Sequence, residues 1–124
     1  MEVKTTKYGR GVFATIQYIQ DDVIEVCPVI VLGKEERSKI DGTKLFDYYF
    51  SWGAEEDEAA IALGFGSLYN HSYTPNAKYL KKYNRNEIHI VALKTIKVGE
   101  EILVNYNGDP KSIEPLWFDV AADK

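Results

Sequence analysis

The segment GSLYNHSYTPNA, residues 66–77, places a histidine beside other residues that are able to do chemistry. His71 is one of only two histidines in the chain and stands between Asn70 and Ser72. A Ser–His hydrolase would use Ser72 as its nucleophile, but adjacent residues usually point apart and do not share a productive hydrogen bond. A metal site is also disfavoured, because the second histidine, His89, falls on a separate strand and no carboxylate matches a metal-ligand spacing. Taken alone, the segment indicates a turn that is anchored by a structural histidine.

Two other short motifs hold residues that suit binding or catalysis. Gly9 and Gly11 in GRG would let a ligand approach the backbone closely. The full dinucleotide fingerprint is missing, because no third glycine and no helical pattern follow. Tyr106 ends the run GEEILVNY, a place where a tyrosine usually packs its ring and keeps its hydroxyl wet. Each motif by itself indicates a turn or a packing residue.

The composition excludes several classes of protein. A chain of 124 residues indicates one domain, and its formal charge of −4 disfavours direct nucleic-acid binding while suiting a basic partner. A single cysteine, Cys27, allows neither an intrachain disulfide nor a cysteine-rich zinc site. The N-terminus lacks the apolar core of a signal peptide, and no apolar run is long enough to span a membrane. We therefore expect no membrane association, and a location in the cytoplasm or, for a viral protein, in the host cell interior.

The elements that must position these motifs are predicted to be short strands separated by glycine turns, with little helix. GRGVF predicts a strand that begins after a tight turn and carries Val12, Ala14 and Ile16 on one side. IEVCPVIVL predicts a β-branched strand, and its Pro28 indicates an edge position or a bulge. Residues 33–45 are predicted to be a loop with a short helical turn.

The second half of the chain predicts further strands around the histidine segment. Residues 54–66 predict a turn and then a short strand. Residues 77–96 predict a hairpin around YNRNE, with Ile88, Ile90 and Ala92 alternating against the residues between them. EILVNY predicts another strand, and the tail from residue 107 is loop-like.

The order and spacing of the motifs carry more information than each motif alone. GRGVFA, NHSYTPNA and GEEILVNY together resemble the SET-domain protein-lysine methyltransferases, especially the minimal bacterial and viral type without pre-SET or post-SET zinc domains. The resemblance implies the SET (β-clip) fold, which is mainly β, with short strands in several small sheets, a C-terminal pseudoknot and little helix. It implies one SET domain over residues 1–124, with a core at about 8–119 and a tail, residues 107–124, that completes the substrate and cofactor site.

The same resemblance assigns roles to individual residues. Tyr106 matches the catalytic tyrosine of the family. Cofactor contacts with S-adenosyl-L-methionine are implied for seven residues: Gly9, Arg10, Gly11, Tyr69, Asn70, His71 and Trp117. The channel for the substrate lysine is implied to include four aromatic residues: Tyr48, Phe65, Tyr79 and Tyr106. The resemblance implies S-adenosyl-L-homocysteine as the product and requires no metal.

These roles agree with the chemistry of methyl transfer. A free lysine has a pKa of about 10.4, so the channel must favour the neutral amine. Tyr106 would orient that amine rather than act as a strong base, because an ordinary tyrosine titrates near 10. The expected partner is a lysine-containing basic protein segment, histone-like or other. The alternative function is a non-catalytic SET-like module that binds a basic peptide.

The sequence departs from the family pattern at three places. Asn105 replaces the aspartate that often precedes the tyrosine, and Val104 stands where many members carry a phenylalanine or tyrosine that tunes the number of methyl groups added. Tyr79 is the expected source of a replacement hydroxyl. The third departure is the missing post-SET cluster, so the tail with Trp117 and Phe118, or a second subunit in a homodimer, would have to close the lysine channel.

Overall fold

The computed structural model describes residues 1–114, and most of its regular elements are strands. The strands are β1 Glu2–Thr6, β2 Gly9–Phe13, β3 Val23–Leu32, β4 Phe50–Trp52, β5 Glu58–Ala62, β6 Asn70–His71, β7 Ala77–Lys82, β8 Glu87–Ala92 and β9 Leu103–Val104. The α-helix α1 covers Lys34–Ile40, and short 3-10 helices cover Lys44–Asp47, Gly66–Leu68 and Tyr83–Arg85. Within residues 1–114, no helix has the length and apolar character that a membrane crossing requires. The predicted mainly β architecture of small sheets is confirmed.

The largest sheet has the strand order β4-β5-β3-β8-β7, so β3 connects the strands on its β5 side to those on its β8 side. The first half of β3, from Val23 to Pro28, pairs with β8, and the second half, Val29 to Leu32, pairs with β5. The bulge alternative is wrong at Pro28, since the irregular register falls between Val23 and Glu25, whereas the edge alternative agrees with a residue that ends the ladder with β8 just before the ladder with β5 begins. The proline is tolerated because it stands where the strand changes its neighbour, so one fewer ladder donor is needed there.

The predicted hairpin forms as β7 and β8, which pair in antiparallel register along their full length. Asn86 closes the connection with a positive φ of 50°, a conformation that asparagine adopts more readily than most residues. Ile88, Ile90 and Ala92 are buried in the core, as their alternation predicts. This strand supplies much of the apolar layer beneath the sheet.

The N-terminal hairpin of β1 and β2 confirms the turn at GRG, where Gly9 has φ of +103°. Val12 and Ala14 are buried, but Ile16 is 58% exposed. The strand predicted to carry all three residues on one side is shorter than expected, because β2 ends at Phe13, before Ala14 and Ile16.

The polar segment at residues 33–45 is more helical than predicted. It contains the two-turn helix α1, which begins after Gly33, and the backbone N–H of Gly33 donates to Oε1 of Glu36. Glu35 and Glu36 lie in the first turn and Arg37 in the last, an arrangement that favours the helix dipole. The local charges and cap therefore favour a helix where apolar periodicity gives no signal.

The third sheet joins two segments that are distant in sequence. β6 pairs in parallel with β9, through Asn70 with Leu103 and His71 with Val104. The run EILVNY forms only this two-residue strand, shorter than predicted. The pairing brings the second and third motifs together.

Candidate functional site

Asn76 ties the histidine segment to the run that ends in Tyr106. Its side-chain Nδ2 donates to the carbonyl of Glu101 over 2.9 Å, and its Oδ1 accepts the backbone N–H of Leu103 over 2.8 Å. Its own carbonyl accepts the backbone N–H of Leu93. A side-chain amide offers both a donor and an acceptor, so Asn76 helps to hold the register of the β9 segment against the histidine segment.

His71 links that strand pair to Tyr106. The imidazole is 2% exposed, and its Nδ1 accepts the backbone N–H of Tyr106 over 3.0 Å. The His71 ring also meets the ring of Tyr73 edge-on at 4.4 Å and lies 5.2 Å from the ring of Tyr106. The side chain of His71 therefore holds the backbone of Tyr106 in place.

The hydroxyl of Tyr106 is fixed by a second contact. It donates to the backbone carbonyl of Tyr69 over 2.6 Å, while the hydroxyl of Tyr79 donates to the carbonyl of Tyr106 over 3.1 Å. The hydrogen of the Tyr106 hydroxyl thus points at a carbonyl, which leaves the oxygen to serve as an acceptor towards an incoming amine.

These tyrosines line a cavity of about 240 Å³, which we call the tyrosine cavity. Tyr48, Tyr69, Tyr79 and Tyr106 all contribute to its wall, and Phe50 packs edge-on against Tyr79 at 5.1 Å. Charged side chains of Asp47, Glu56 and Lys81 also line it. An aromatic wall of this kind suits a long aliphatic stem that carries a basic head.

Helix α1 supports one side of the cavity through Arg37. Its guanidinium lies 4.9 Å from the centre of the Tyr49 ring and donates to the Tyr49 hydroxyl. The same group donates to the carbonyls of Glu56 and Glu58. Arg37 thereby joins the helix to two cavity residues, Tyr49 and Glu56.

The electrostatic setting keeps the phenols of Tyr79 and Tyr106 protonated. Burial raises the pKa of the Tyr106 phenol well above its usual value, and the carboxylate charge of Glu101 raises it further. Burial likewise raises the pKa of Tyr79 to about 12. Tyr106 therefore acts in this site as a hydrogen-bonding phenol rather than as a phenolate base.

A second group of predicted residues meets around Gly11. Nδ2 of Asn70 donates to the carbonyl of Arg10 over 3.1 Å and to Oε2 of Glu101 over 2.7 Å. A Cβ at Gly11 would meet the Glu101 carboxylate and would lie 2.9 Å from Nδ2 of Asn70. The GRG turn, Asn70 and Glu101 thus form one polar cradle, which we call the glycine cradle.

The remaining predicted residues have different positions. Phe65 is not among the residues that line the cavity; it packs against the core, and its backbone N–H donates to Glu25. Trp117 lies outside the described residues. The hydroxyl of Ser72 is engaged with Thr74 in its own turn, which gives the hydrolase alternative no support.

Several contributors were missed from the sequence, and three of them differ in the signal that they gave. Glu101 stands inside the quoted motif GEEILVNY, so its carboxylate could have been singled out there. Glu25 had a weaker signal, a charged residue within the apolar run VIEVCPVIVL. Lys81 gave no signal, because a lysine on a hairpin strand usually faces solvent.

Comparisons with known proteins agree with this arrangement. Residues 9–107 match the SET domain family. A histone-lysine N-methyltransferase of Schizosaccharomyces pombe, specific for lysine 37 of histone H3, is 37% identical over 122 residues, which cover 96% of this chain and 77% of that protein. A Mus musculus protein-lysine N-trimethyltransferase is 30% identical over 109 residues, which cover 84% of this chain and 25% of that protein.

The fold comparison points the same way. The crystal structure of a candidate histone methyltransferase of Plasmodium falciparum superposes with a TM-score of 0.67 at 28% identity, covering 87% of this chain and 97% of that one. The family match covers both the glycine cradle and the wall of the tyrosine cavity that carries Tyr106. The chain therefore belongs to the SET-domain family of protein-lysine N-methyltransferases.

Proposed function

We propose that this protein is an S-adenosyl-L-methionine-dependent protein-lysine N-methyltransferase that acts on a lysine in a basic protein segment. The observation that carries the proposal is the fixed hydroxyl of Tyr106 in the wall of the tyrosine cavity. Its backbone is held by His71, and its hydroxyl hydrogen by the carbonyl of Tyr69. A group held at both ends needs little reorganisation when an amine arrives.

The glycine cradle fits the amino-acid end of the cofactor. Because Gly11 has no side chain, the Glu101 carboxylate and the Asn70 amide pack directly against its backbone, where a Cβ would meet both. The Glu101 carboxylate suits a cationic group, and the exposed Arg10 beside it suits a carboxylate. When bound, S-adenosyl-L-methionine supplies a methyl group on a positively charged sulfur and leaves as S-adenosyl-L-homocysteine.

The residues of the cavity act on the substrate lysine in three ways. The aromatic wall removes water from its aliphatic stem, and desolvation favours the neutral amine. The oxygen of Tyr106 accepts a hydrogen bond from that amine and so directs its lone pair. Tyr79 holds the carbonyl of Tyr106 and adds a second phenol to the wall.

Two observations support the substrate class: the charge of the protein and its similarity to a named relative. The net charge of −4 and the carboxylates of Asp47 and Glu56 at the cavity favour a basic segment. The Schizosaccharomyces pombe relative is named as an enzyme for a histone lysine, so a histone-like tail is our first candidate.

Radiolabelled methyl transfer tests this function directly. Purified protein is incubated with tritiated S-adenosyl-L-methionine and core histones, and the labelled residue is identified by mass spectrometry. We expect label on lysine. Calorimetry with the cofactor runs in parallel. Cofactor binding without transfer to histones or to a fractionated basic lysate would favour the non-catalytic module, and no binding at millimolar cofactor would refute the enzyme.

A further inference from the structure

We propose that Glu25 is a positioning residue, which holds Tyr69 and thereby orients the hydroxyl of Tyr106. The inference rests on the proposed methyl transfer for its kinetic consequence, although the contacts behind it do not. Glu25 lies on β3, outside all three sequence motifs, and does not line the tyrosine cavity. Its influence on the chemistry must therefore pass through other residues.

The two carboxylate oxygens of Glu25 hold two points of one short segment. Oε1 accepts the hydroxyl of Tyr69 over 2.6 Å, and Oε2 accepts the backbone N–H of Phe65 over 2.9 Å. A Cβ at Gly64, where φ is +69°, would meet Oε2. The carboxylate is thus packed against the turn that leads into the 3-10 helix Gly66–Leu68, and it bonds the residue that follows this helix.

That segment ends in the carbonyl that Tyr106 uses. The carbonyl of Tyr69 accepts the Tyr106 hydroxyl over 2.6 Å, and the Tyr69 side chain is 1% exposed. A buried ring has few rotamers available, so anchoring its hydroxyl restricts the position of its own backbone. The path from Glu25 to Tyr106 therefore consists of two short hydrogen bonds joined by one rigid residue.

The Tyr69 hydroxyl remains the donor in this path. Burial raises the pKa of Tyr69 far above its usual value, and the bond to Glu25 raises it further. Met1 offers a weaker acceptor, with its Sδ at 3.3 Å from the same hydroxyl. Removal of the carboxylate would leave two buried donors, at Tyr69 and Phe65, without their strong acceptor.

The test compares kcat with KM in Glu25→Ala. We expect kcat to fall by about tenfold while KM for the lysine substrate stays within about twofold, because a loosened Tyr106 hydroxyl affects the transition state more than binding. Glu25→Gln should keep most of the activity, since its amide oxygen can accept from Phe65 while its amide nitrogen donates to the Tyr69 oxygen. The matched control is Glu87→Ala on the neighbouring strand β8, where the carboxylate bonds His89 instead.

Tyr69→Phe provides a second variant that keeps the ring in the core. It removes the hydrogen bond between Tyr69 and Glu25 by deleting the donor, so kcat should fall as it does in Glu25→Ala. The double variant Glu25→Ala/Tyr69→Phe should then lose less than the product of the single losses. Fully multiplied losses would overturn the proposal, as would an unchanged kcat in folded Glu25→Ala.

A spectroscopic measurement keeps the inference separate from the proposed function. The 13C signal of the Tyr106 ring carbon that bears the hydroxyl, assigned with Tyr106→Phe, reports the hydrogen bond of that hydroxyl. Glu25→Ala and Tyr69→Phe should shift it, and Glu87→Ala should not. If the wild-type protein transfers no methyl group, the proposed function fails, yet this signal still decides whether Glu25 positions Tyr106. An unshifted signal refutes the positioning role.

Discussion

Nδ1 of His71 accepts the backbone N–H of Tyr106 over 3.0 Å, and this bond joins the middle motif of the sequence to the third. In the neutral imidazole an accepting Nδ1 places the proton on Nε2. The histidine that the segment alone indicated as the anchor of a turn therefore acts in the structure as an acceptor for a backbone donor.

Two replacements of His71 should distinguish the stability contributed by its hydrogen-bond acceptor from the stability contributed by its ring. His71→Ala leaves the buried N–H of Tyr106 without this acceptor and opens a void, so we expect a loss of about 2–4 kcal/mol in the free energy of unfolding. His71→Asn offers an oxygen near the position of Nδ1 and should recover part of that loss. Urea denaturation measures both, and equal losses in the two variants would contradict the acceptor role.

Tyr106→Phe tests the hydroxyl itself. The variant keeps the ring in the wall of the tyrosine cavity but loses the oxygen that orients the amine, so we expect kcat to fall by about a hundredfold or more. Cofactor affinity should stay within a few-fold, because the glycine cradle is formed by other residues. Methyl-transfer rates and calorimetry are the measurements. Unchanged turnover would remove Tyr106 from the proposed mechanism.

Gly11→Ala tests whether the glycine cradle holds the cofactor. The new Cβ would meet the Glu101 carboxylate and the Asn70 amide. We expect the Kd for S-adenosyl-L-methionine to rise by about tenfold or more, since the Glu101 carboxylate and the Asn70 amide would have to leave their positions in the glycine cradle. Gly42→Ala is the matched control, because no heavy atom lies within 4 Å of its added Cβ. Wild-type affinity in folded Gly11→Ala would place the cofactor elsewhere.

Asn76→Ala should weaken the strand pair β6–β9. The buried amide bonds the carbonyl of Glu101 and the N–H of Leu103, and the variant removes both hydrogen bonds. We expect a loss of about 2–4 kcal/mol in the free energy of unfolding. The exposed Asn84→Ala should change it by less than about 0.5 kcal/mol. Similar urea midpoints for the two variants would show that Asn76 does not hold the register.

Lys81 should make stability depend on pH. Burial lowers the pKa of its ammonium from the ordinary value of 10.5, with an opposing contribution from Glu56 and a small one from Arg37 in the same direction as burial. The folded state therefore binds this proton less tightly than the unfolded chain, so the protonated side chain costs stability below its lowered pKa. That cost disappears as the pH rises from the lowered pKa towards 10.5.

Lys81→Met removes this cost at neutral pH. The side chain is 18% exposed, so we expect a melting temperature that is higher by about 2–4 °C at pH 7, with the difference shrinking as the pH rises through the lowered pKa of Lys81. Lys82→Met, next on the same strand and not among the cavity residues, is the control. A difference that grows with pH would contradict the sign of the effect.

The strands and the family followed from local features of the sequence. Alternation of apolar residues predicted β8, because side chains on a strand point to opposite faces whatever the rest of the chain does. The turn at Gly9 followed from its backbone freedom, and the family from the order of three motifs. The length of helix α1 was not predicted, because its residues are almost all polar and its stability comes from the cap and from charges.

The contacts that make the site came only from the tertiary structure. No sequence rule states that the parallel pairing of β6 and β9 brings His71 under Tyr106, because a pairing between distant segments depends on the path of the whole chain. The same holds for Glu25, whose partners lie 40 and 44 residues away. The sequence alone determined which residue types and turns were available and which family they belong to. The tertiary structure decided which donor meets which acceptor, since a hydrogen bond depends on distances that only the packed core defines.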